Sequence, residues 1–466
     1  MFRLAICIVV FMVMITGQAF SQEVMSVEQV LEIAVNNYPG IKAFKEESTI
    51  KDMEKKEALI MMLPKVKVNY GYYRLDEPQV LDIGQDLYLP ILNEASPPRF
   101  DSNGNIALDW DTRRPMYAYI PAEGITVGTQ DNHSLSLEVT QVLFAGGSLY
   151  NNYLIKENSK KSTDIETQKK IRDLKVKVIE AYYGVVASRQ GVDVAKAAIA
   201  SLQAHVNQAM AFYKAGVIAK NDVLQAKVKL AEQEQNLIAA ENMVNTAEAG
   251  LNVSMARPLT EPVVIENDIE ISKIEYTLEE AIEYSMENRQ ELKELDIYMD
   301  SAKKGVKAAK GGYAPRIAAS YTYQRYGADI DIVNDQWKIG VGLEWTLFGK
   351  LAEGGTAYTN VGKAKAMQSQ VLLERQRTAD EIALQVKDAY LTANAAIAKM
   401  NVGSKSIELA EENLRIQKHK YNLQACTSTD VLDAQTMLDK SKIDYIKAKV
   451  DYAISVAKLK AAMGIL

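Results

Sequence analysis

Cysteine is almost missing from this 466-residue sequence, which has only Cys7 and Cys426. Cys7 lies in a leader-like segment, so an exported chain would keep one thiol and could hold no intrachain disulfide. Histidine is equally scarce. His133, His205 and His419 share no metal-ligand spacing, and all three are expected at the surface, with no metal and no other cofactor. An excess of positive charge is missing too: 54 Lys and Arg face 60 Asp and Glu, a net −6 spread along the chain. With no basic patch, nucleic acid is excluded as a partner. Past the leader there is no apolar run of 18 residues, which excludes a transmembrane helix and leaves strands as the means of crossing a membrane. Gly340-Val341-Gly342 sits in a strand-like pattern without a phosphate-loop context. No nucleophile, base and orienting group recur together, so there are no candidate catalytic residues and an enzyme is not expected.

What is present begins with that leader. Arg3 precedes an apolar stretch at residues 4–16, and Ala19-Phe20-Ser21 is a small-x-small cleavage pattern. Residues 1–21 therefore read as a signal peptide, cut after Ser21.

The rest is one plan written twice. The segment from Ser26 (VEQVLEIAVNNYPGIKAF) matches the one from Thr277 (LEEAIEYSMENRQELKEL) at an offset of 251. Leu63-Pro64-Lys65 matches Ala314-Pro315-Arg316 at the same offset. From Gly146-Gly147 against Gly354-Gly355 onward the offset is 208. The drop places one large insertion in the first copy at residues 76–132, which hold six of the eleven prolines and read as a long surface loop. The expected organisation is a first repeat at 22–256, a linker at 257–276 and a second repeat at 277–466.

Hydrophobic period changes twice within each copy. Residues 27–63 and 278–314 read as helices stopped by Pro64 and Pro315. Alternation follows, and strands are expected at about 66–75, 133–144, 316–325 and 337–348. Along the last of these Trp337, Ile339, Val341, Leu343, Trp345 and Leu347 share one face. At about 3.3 Å per residue the two tryptophans lie about 26 Å apart, close to the height of an outer-membrane apolar band with aromatic girdles. A half-buried soluble sheet would show the same alternation. Long seams come next: Leu174, Val178, Ala181, Val185, Ser188, Val192, Ala195, Ile199, Leu202 and Val206 step by threes and fours. The second copy repeats this with smaller residues, Ala379, Ile382, Val386, Ala389 and Ala393. Helical hairpins are expected at 148–256 and 353–463, the first with an arm of about 100 Å.

Each hairpin turns at a matching stretch, YKAGVIAKNDVLQA at residues 213–226 and YNLQACTSTDVLDA at 421–434. Asp430 and Asp433, at i and i+3, share a helix face. Thr427-x-x-Asp430 also has the form of a capping box, and Asp222 stands at the matching place in the first tip.

The opening VEQVLEIAVNNYP, the LP and AP turns before strands, the LFAGG junction and the DVL tips, all duplicated in order, resemble the TolC family of outer-membrane efflux channels over about residues 26–466. That resemblance implies a mainly α fold with a β-barrel, four strands per chain closing as a homotrimer into a twelve-stranded barrel in the outer membrane. The helices would continue as an α-helical barrel in the periplasm. It implies as partners a periplasmic adaptor protein and an inner-membrane RND or ABC transporter. The function implied is a passive exit duct of a tripartite efflux system. The alternatives are an exit duct for type I protein secretion and, in another class, a soluble periplasmic coiled-coil scaffold. By the same resemblance Asp430 and Asp433 line a periplasmic constriction, and Tyr421 and Asp222 match a gating link between hairpins. Tyr213, Gly216, Asp222, Tyr421 and Asp430 mark the adaptor-docking tips, and Trp337 and Trp345 the membrane interface. Two departures stand out. Cys426 occupies the place of an arginine in a second family link, and Gln424 stands in the second tip where the first has the family glycine, Gly216.

Overall fold

In a computed structural model, the structure describes residues 24–81, 84–85, 87–90, 117–120, 125–269, 271–329, 334–345 and 356–466. The signal peptide, the Leu347-Phe348 end of the last strand, Gly354-Gly355 and most of the 76–132 insertion lie outside the described residues. The chain divides into two compact units. One takes residues up to Lys56, Tyr153–Val306 and Gly362–Leu466, and the other Glu57–Asn152 and Lys307–Val361.

The first unit is helical. Its elements are α1 (Val27–Asn37), most of α2 (Pro39–Ile60), the long α3 (Ser148–Lys214), α4 (Lys220–Ser254), α5 (Leu278–Asn288), α6 (Gln290–Lys310), the long α7 (Thr356–Asn422) and α8 (Ser428–Met463). The seam is the core. Val178, Val185 and Val206 of α3, with Ile382 and Val386 of α7, are at most 3% exposed. Each fully buried aliphatic side chain of this kind contributes about 1.5–3 kcal/mol.

The two expected N-terminal helices are each broken in two, and the breaks fall at matching residues. Pro39 opens α2 and holds Tyr38 at φ −59°, ψ 119°, outside helical geometry. Its counterpart Arg289 takes φ −62°, ψ 127° with no proline beside it. The guanidinium is buried instead. It donates to the Ala461 and Ala462 carbonyls at 3.3 and 3.2 Å, the open end of α8, and to Gln385 at 2.9 Å. Glu291 binds both this guanidinium and that of Arg172, at 2.9 Å each. Burial alone would raise the Glu291 carboxyl, but Arg172 and Arg289 hold it down to about 2. The expected linker is likewise built into the core. Val263, Ile265 and Ile269 pack among α1, α3 and α4, and Ile265 bridges Met25.

The second unit holds an antiparallel sheet in the order β1-β6-β7-β8, made of β1 (Lys65–Arg74), β6 (Asp131–Ala145), β7 (Arg316–Gly327) and β8 (Asn334–Glu344). The insertion is not only loop. It contains β2 (Val80–Leu81) paired with β5 (Ile125–Thr126), and β3 (Leu87–Pro90) paired with β4 (Tyr117–Ile120). The segment folds back on itself, and backbone groups left unpaired by a plain loop find ladder partners. At the junction of β6 with α3, Gly146 has φ +61°, and a Cβ there would lie 2.3 Å from the Gly311 carbonyl oxygen. Only glycine fits.

One face of the four-stranded sheet is apolar: Val66, Val68, Leu137, Tyr321, Ile339 and Val341 are register partners or same-face neighbours. The opposite face carries Lys67, Ser136, Thr322, Gln324 and Lys338. The apolar face is not buried against a second layer. Trp337, Ile339, Val341 and Leu343 are 63–71% exposed and Val66 and Val68 62–65%. A soluble sheet cannot leave such a face in water.

Candidate functional site

The two turns share one backbone solution. At the end of α3, Gly216 and Val217 donate to the carbonyls of Tyr213 and Phe212, each at 2.9 Å. At the end of α7, Gln424 and Ala425 donate to those of Tyr421 and Lys420, at 3.0 and 2.8 Å. This is the Schellman arrangement, which needs a left-handed residue. Gly216 supplies it at φ +77° and Gln424 at φ +59°.

The helices that leave the turns start differently. Thr427 caps α8: it accepts from the Asp430 amide at 3.2 Å, and the Asp430 carboxylate accepts from the Thr427 amide at 2.8 Å and hydroxyl at 2.7 Å. These bonds hold the Asp430 carboxyl below the usual carboxylate range. Ala219, in the matching place, has no side chain to cap α4. Asp433 is exposed and forms no ion pair among the described residues, whereas its counterpart Gln225 accepts from Thr429 at 3.4 Å and ties one turn to the other.

The matching tyrosines also diverge. Tyr213 is 44% exposed and Tyr421 3%. Tyr421 packs against the His205 ring at 4.8 Å and Phe212 at 5.5 Å, beside Val431 and Leu438. Its hydroxyl is buried beside Ser428, whose own hydroxyl pairs with His205 Nε2 at 2.8 Å. Burial pushes the phenol up, and the Asp222 carboxylate adds to this. No hydrogen bond joins Tyr421 to Asp222 among the described contacts.

Sequence reasoning placed all three histidines at the surface, and for His205 the structure corrects it. His205 is 5% exposed, and burial, with Lys418 nearby, pushes the imidazole down toward its neutral form. His419 is exposed, and half-buried His133 bonds Tyr70 at 2.8 Å. His205 follows the seam residue Leu202 by three positions, which was the available signal. Sequence reasoning also missed a polar chain between the hairpins. Lys418 donates to Ser201 at 2.7 Å, Ser201 to Gln435 at 2.6 Å, and Gln435 to Asp439 at 2.7 Å. Burial pushes Lys418 down and Asp439 up. Nothing local in the sequence marks these residues, which lie on three helices. Cys426 donates to the Gln417 carbonyl at 3.4 Å, and burial, then Asp430, pushes its thiol up, away from reactivity.

Around the turns the surface is unexpectedly apolar. Val217, Leu224 and Leu423 are 42%, 49% and 66% exposed. In the sheet, Trp337 and Trp345 are 68% and 52% exposed, and the Trp345 indole donates to the Tyr313 carbonyl at 3.1 Å. Among the described residues the arrangement offers exposed turns and uncovered apolar faces, and no reacting centre.

The sequence pattern of the family described as Outer membrane efflux protein matches residues 95–257 and 281–465, more than half of the chain. The chain belongs to that family. It is a TolC-family transport protein of the outer membrane, its helical part periplasmic, and a channel protein rather than an enzyme. Outer membrane protein TolC of Escherichia coli (strain K12) is 21% identical over 418 residues, 85% of this chain and 81% of TolC. TolC of Vibrio cholerae is 22% identical over 369 residues, 75% of this chain and 83% of that protein. Among solved structures, the efflux protein shares its fold with CusC, at TM-score 0.74 and 13% identity over 94% of this chain and 92% of that one. The outer membrane protein VceC of Vibrio cholerae gives 0.71 and 14%, covering 94% and 96%.

Proposed function

We propose that this efflux protein is the exit duct of a tripartite efflux system. It would be a passive homotrimer joined through a periplasmic adaptor to an inner-membrane RND or ABC transporter. The observation that carries the reading is the bare apolar face of a sheet whose outer strands, β1 and β8, each keep an unpaired edge among the described residues. Four strands cannot close on themselves, and an open edge is not tolerated in a bilayer. Three copies give twelve strands and no edge. The long helices support the same assembly, since α7 exposes Leu372, Leu373, Leu384, Leu391 and Leu409 at 54–72% and α4 exposes Val228, Ile238 and Met243 at 63–69%. Such faces need neighbours.

In this reading the turns form the periplasmic entrance. Exposed Asp433 lines it, and Asp430 does so while capping α8. Tyr421 is too buried to offer a docking surface, so the adaptor meets Tyr213, Gly216, Val217 and Leu423. Tyr421 instead holds the second hairpin against α3, and its link to Asp222 would have to form on movement of the turns.

The test is extraction from the outer membrane in mild detergent, with the mass determined by light scattering, and site-specific crosslinking from Val217 and Leu423 in the presence of the co-expressed adaptor. A trimer that crosslinks the adaptor from both positions is expected. A monomer that stays soluble without detergent would overturn the duct. Crosslinks only from residues 76–132 would reverse its orientation.

A further inference from the structure

The polar face of the sheet carries more charge than a water-filled bore needs, and the register decides how much of it is cancelled. Among the described residues, six charged side chains share that face: Lys65, Lys67, Glu138, Arg316, Lys338 and Glu344. Lys67 stands directly opposite Glu138, and Arg316 directly opposite Glu344. Each of those cross-strand partners offsets the other's field. Lys65 is opposite Thr140, and Lys338 opposite Thr322. Neither lysine makes an ion pair among the described residues. The remaining positions of this face, such as Asn69, Ser136, Ser320, Gln324 and Gln336, are neutral. Per chain, two positive charges are left over.

Lys338 is interior to its strand, whereas Lys65 is the first residue of β1. The charged side chains of the apolar face, Arg74, Asp131, Arg325 and Asp335, cluster at the Arg74 end of the sheet, and there Arg74 and Asp131 lie 3.5 Å apart. Lys338 instead lies on the same register row as Lys67 and Glu138, with Gly340 and Gln336 as its same-face neighbours. It has open space and a polar wall around it, as expected of a side chain that extends into water.

We propose that Lys65 and Lys338 make the membrane-embedded stretch of the duct anion-preferring, so that solutes bearing a carboxylate, sulfonate or phosphate group are the cargo class it favours. This rests on the trimeric duct reading, in which the polar face turns inward and the two leftover charges per chain become six around one bore. Lipid outside such a wall is a low dielectric, which focuses the field of fixed charges into the water column. The acidic turns, with Asp430 and Asp433, would prefer cations at the other end. A passing solute therefore meets two filters of opposite sign.

The experiment is the reversal potential of the full-length protein in planar bilayers under a KCl gradient, in an Asp430→Asn, Asp433→Asn background that silences the entrance. With the entrance neutral, chloride should permeate better than potassium. At about 0.1 M salt, where screening acts over about 10 Å, Lys65→Gln with Lys338→Gln should lower the chloride-to-potassium ratio at least about two-fold. Glu138→Gln should raise it, which guards against a loss caused by damage to the sheet. A conducting channel whose ratio ignores both changes would overturn the inference while leaving the duct intact. A protein that forms no channel at all would overturn both.

Discussion

The two copies of the repeat reach the same backbone with opposite chemistry. In the first turn the left-handed residue is Gly216, which adopts φ +77° without strain, but the next helix starts at Ala219 without a cap. In the second, Gln424 bears the left-handed strain while Thr427 and Asp430 form a full capping box. Upstream, the same helix break is made by Pro39 in one copy and by the buried Arg289 in the other. A duplicated fold therefore constrains the path of the chain much more tightly than the residues that make it. Where one copy uses local stereochemistry, the other uses contacts.

The largest expected effect separates the two helix breaks. Arg289→Ala leaves Glu291 and the end of α8 short of their partner and should cost about 3–5 kcal/mol, seen as a lower Tm. Pro39→Ala should cost no more than about 1 kcal/mol, because Tyr38 loses a restraint and no contact. The Arg289 side also carries an acid signature. The Glu291 carboxyl sits lower in the folded protein, at about 2, than in the unfolded chain. Its stabilising contribution, roughly 3 kcal/mol by linkage, is complete above about pH 4.5 and is lost as pH falls toward 2. Glu291→Gln should flatten the Tm profile across that window, and an unchanged profile would show that other carboxyls govern it.

Exchanging the caps is the next step down. Thr427→Ala should cost about 1 kcal/mol and speed amide exchange in the first turn of α8. Ala219→Thr should slow exchange in α4 by a comparable factor. If both changes were silent, the caps would be incidental and the turns held by packing at Tyr421 alone.

The smallest effect is expected at the left-handed residue. Gln424→Gly should relieve strain of about 1 kcal/mol, partly offset by the added freedom of the unfolded chain. Proteolysis at the second turn should slow slightly. Faster proteolysis would mean that the Gln424 side chain supplies a contact worth more than the strain.

Several of these features were legible in advance and others were not, for reasons that differ by residue. The strands could be read because alternation has a period of two and a single-layer sheet shows its two faces along every strand. β1, β6, β7 and β8 begin or end within a few residues of expectation. The unbroken reading of residues 278–314 went astray at Arg289 because nothing local distinguishes that residue from its helical neighbours. Its partners, the Ala461 and Ala462 carbonyls, lie more than 170 residues later. The same distance hid the Lys418–Ser201–Gln435–Asp439 chain and the burial of His205.

By itself, the sequence determined whatever depends on near neighbours: the duplication, the switch from a period of two to a seam of threes and fours, the proline stops, the Thr427 cap and the family. Tertiary structure alone decided which of two equivalent tyrosines is buried. Tyr421 meets His205 and Phe212 of α3, while Tyr213, in the same turn of the other copy, meets no such rings among the described residues and stays exposed. Likewise the signs of the strand lysines are plain in the sequence, but only the register of β1 on β6 and of β7 on β8 shows which acids stand opposite them. The physical reason is the same in both cases. Local torsions and periodicity are written within a few residues, whereas burial and charge compensation belong to whichever distant side chain the fold brings within a few ångströms.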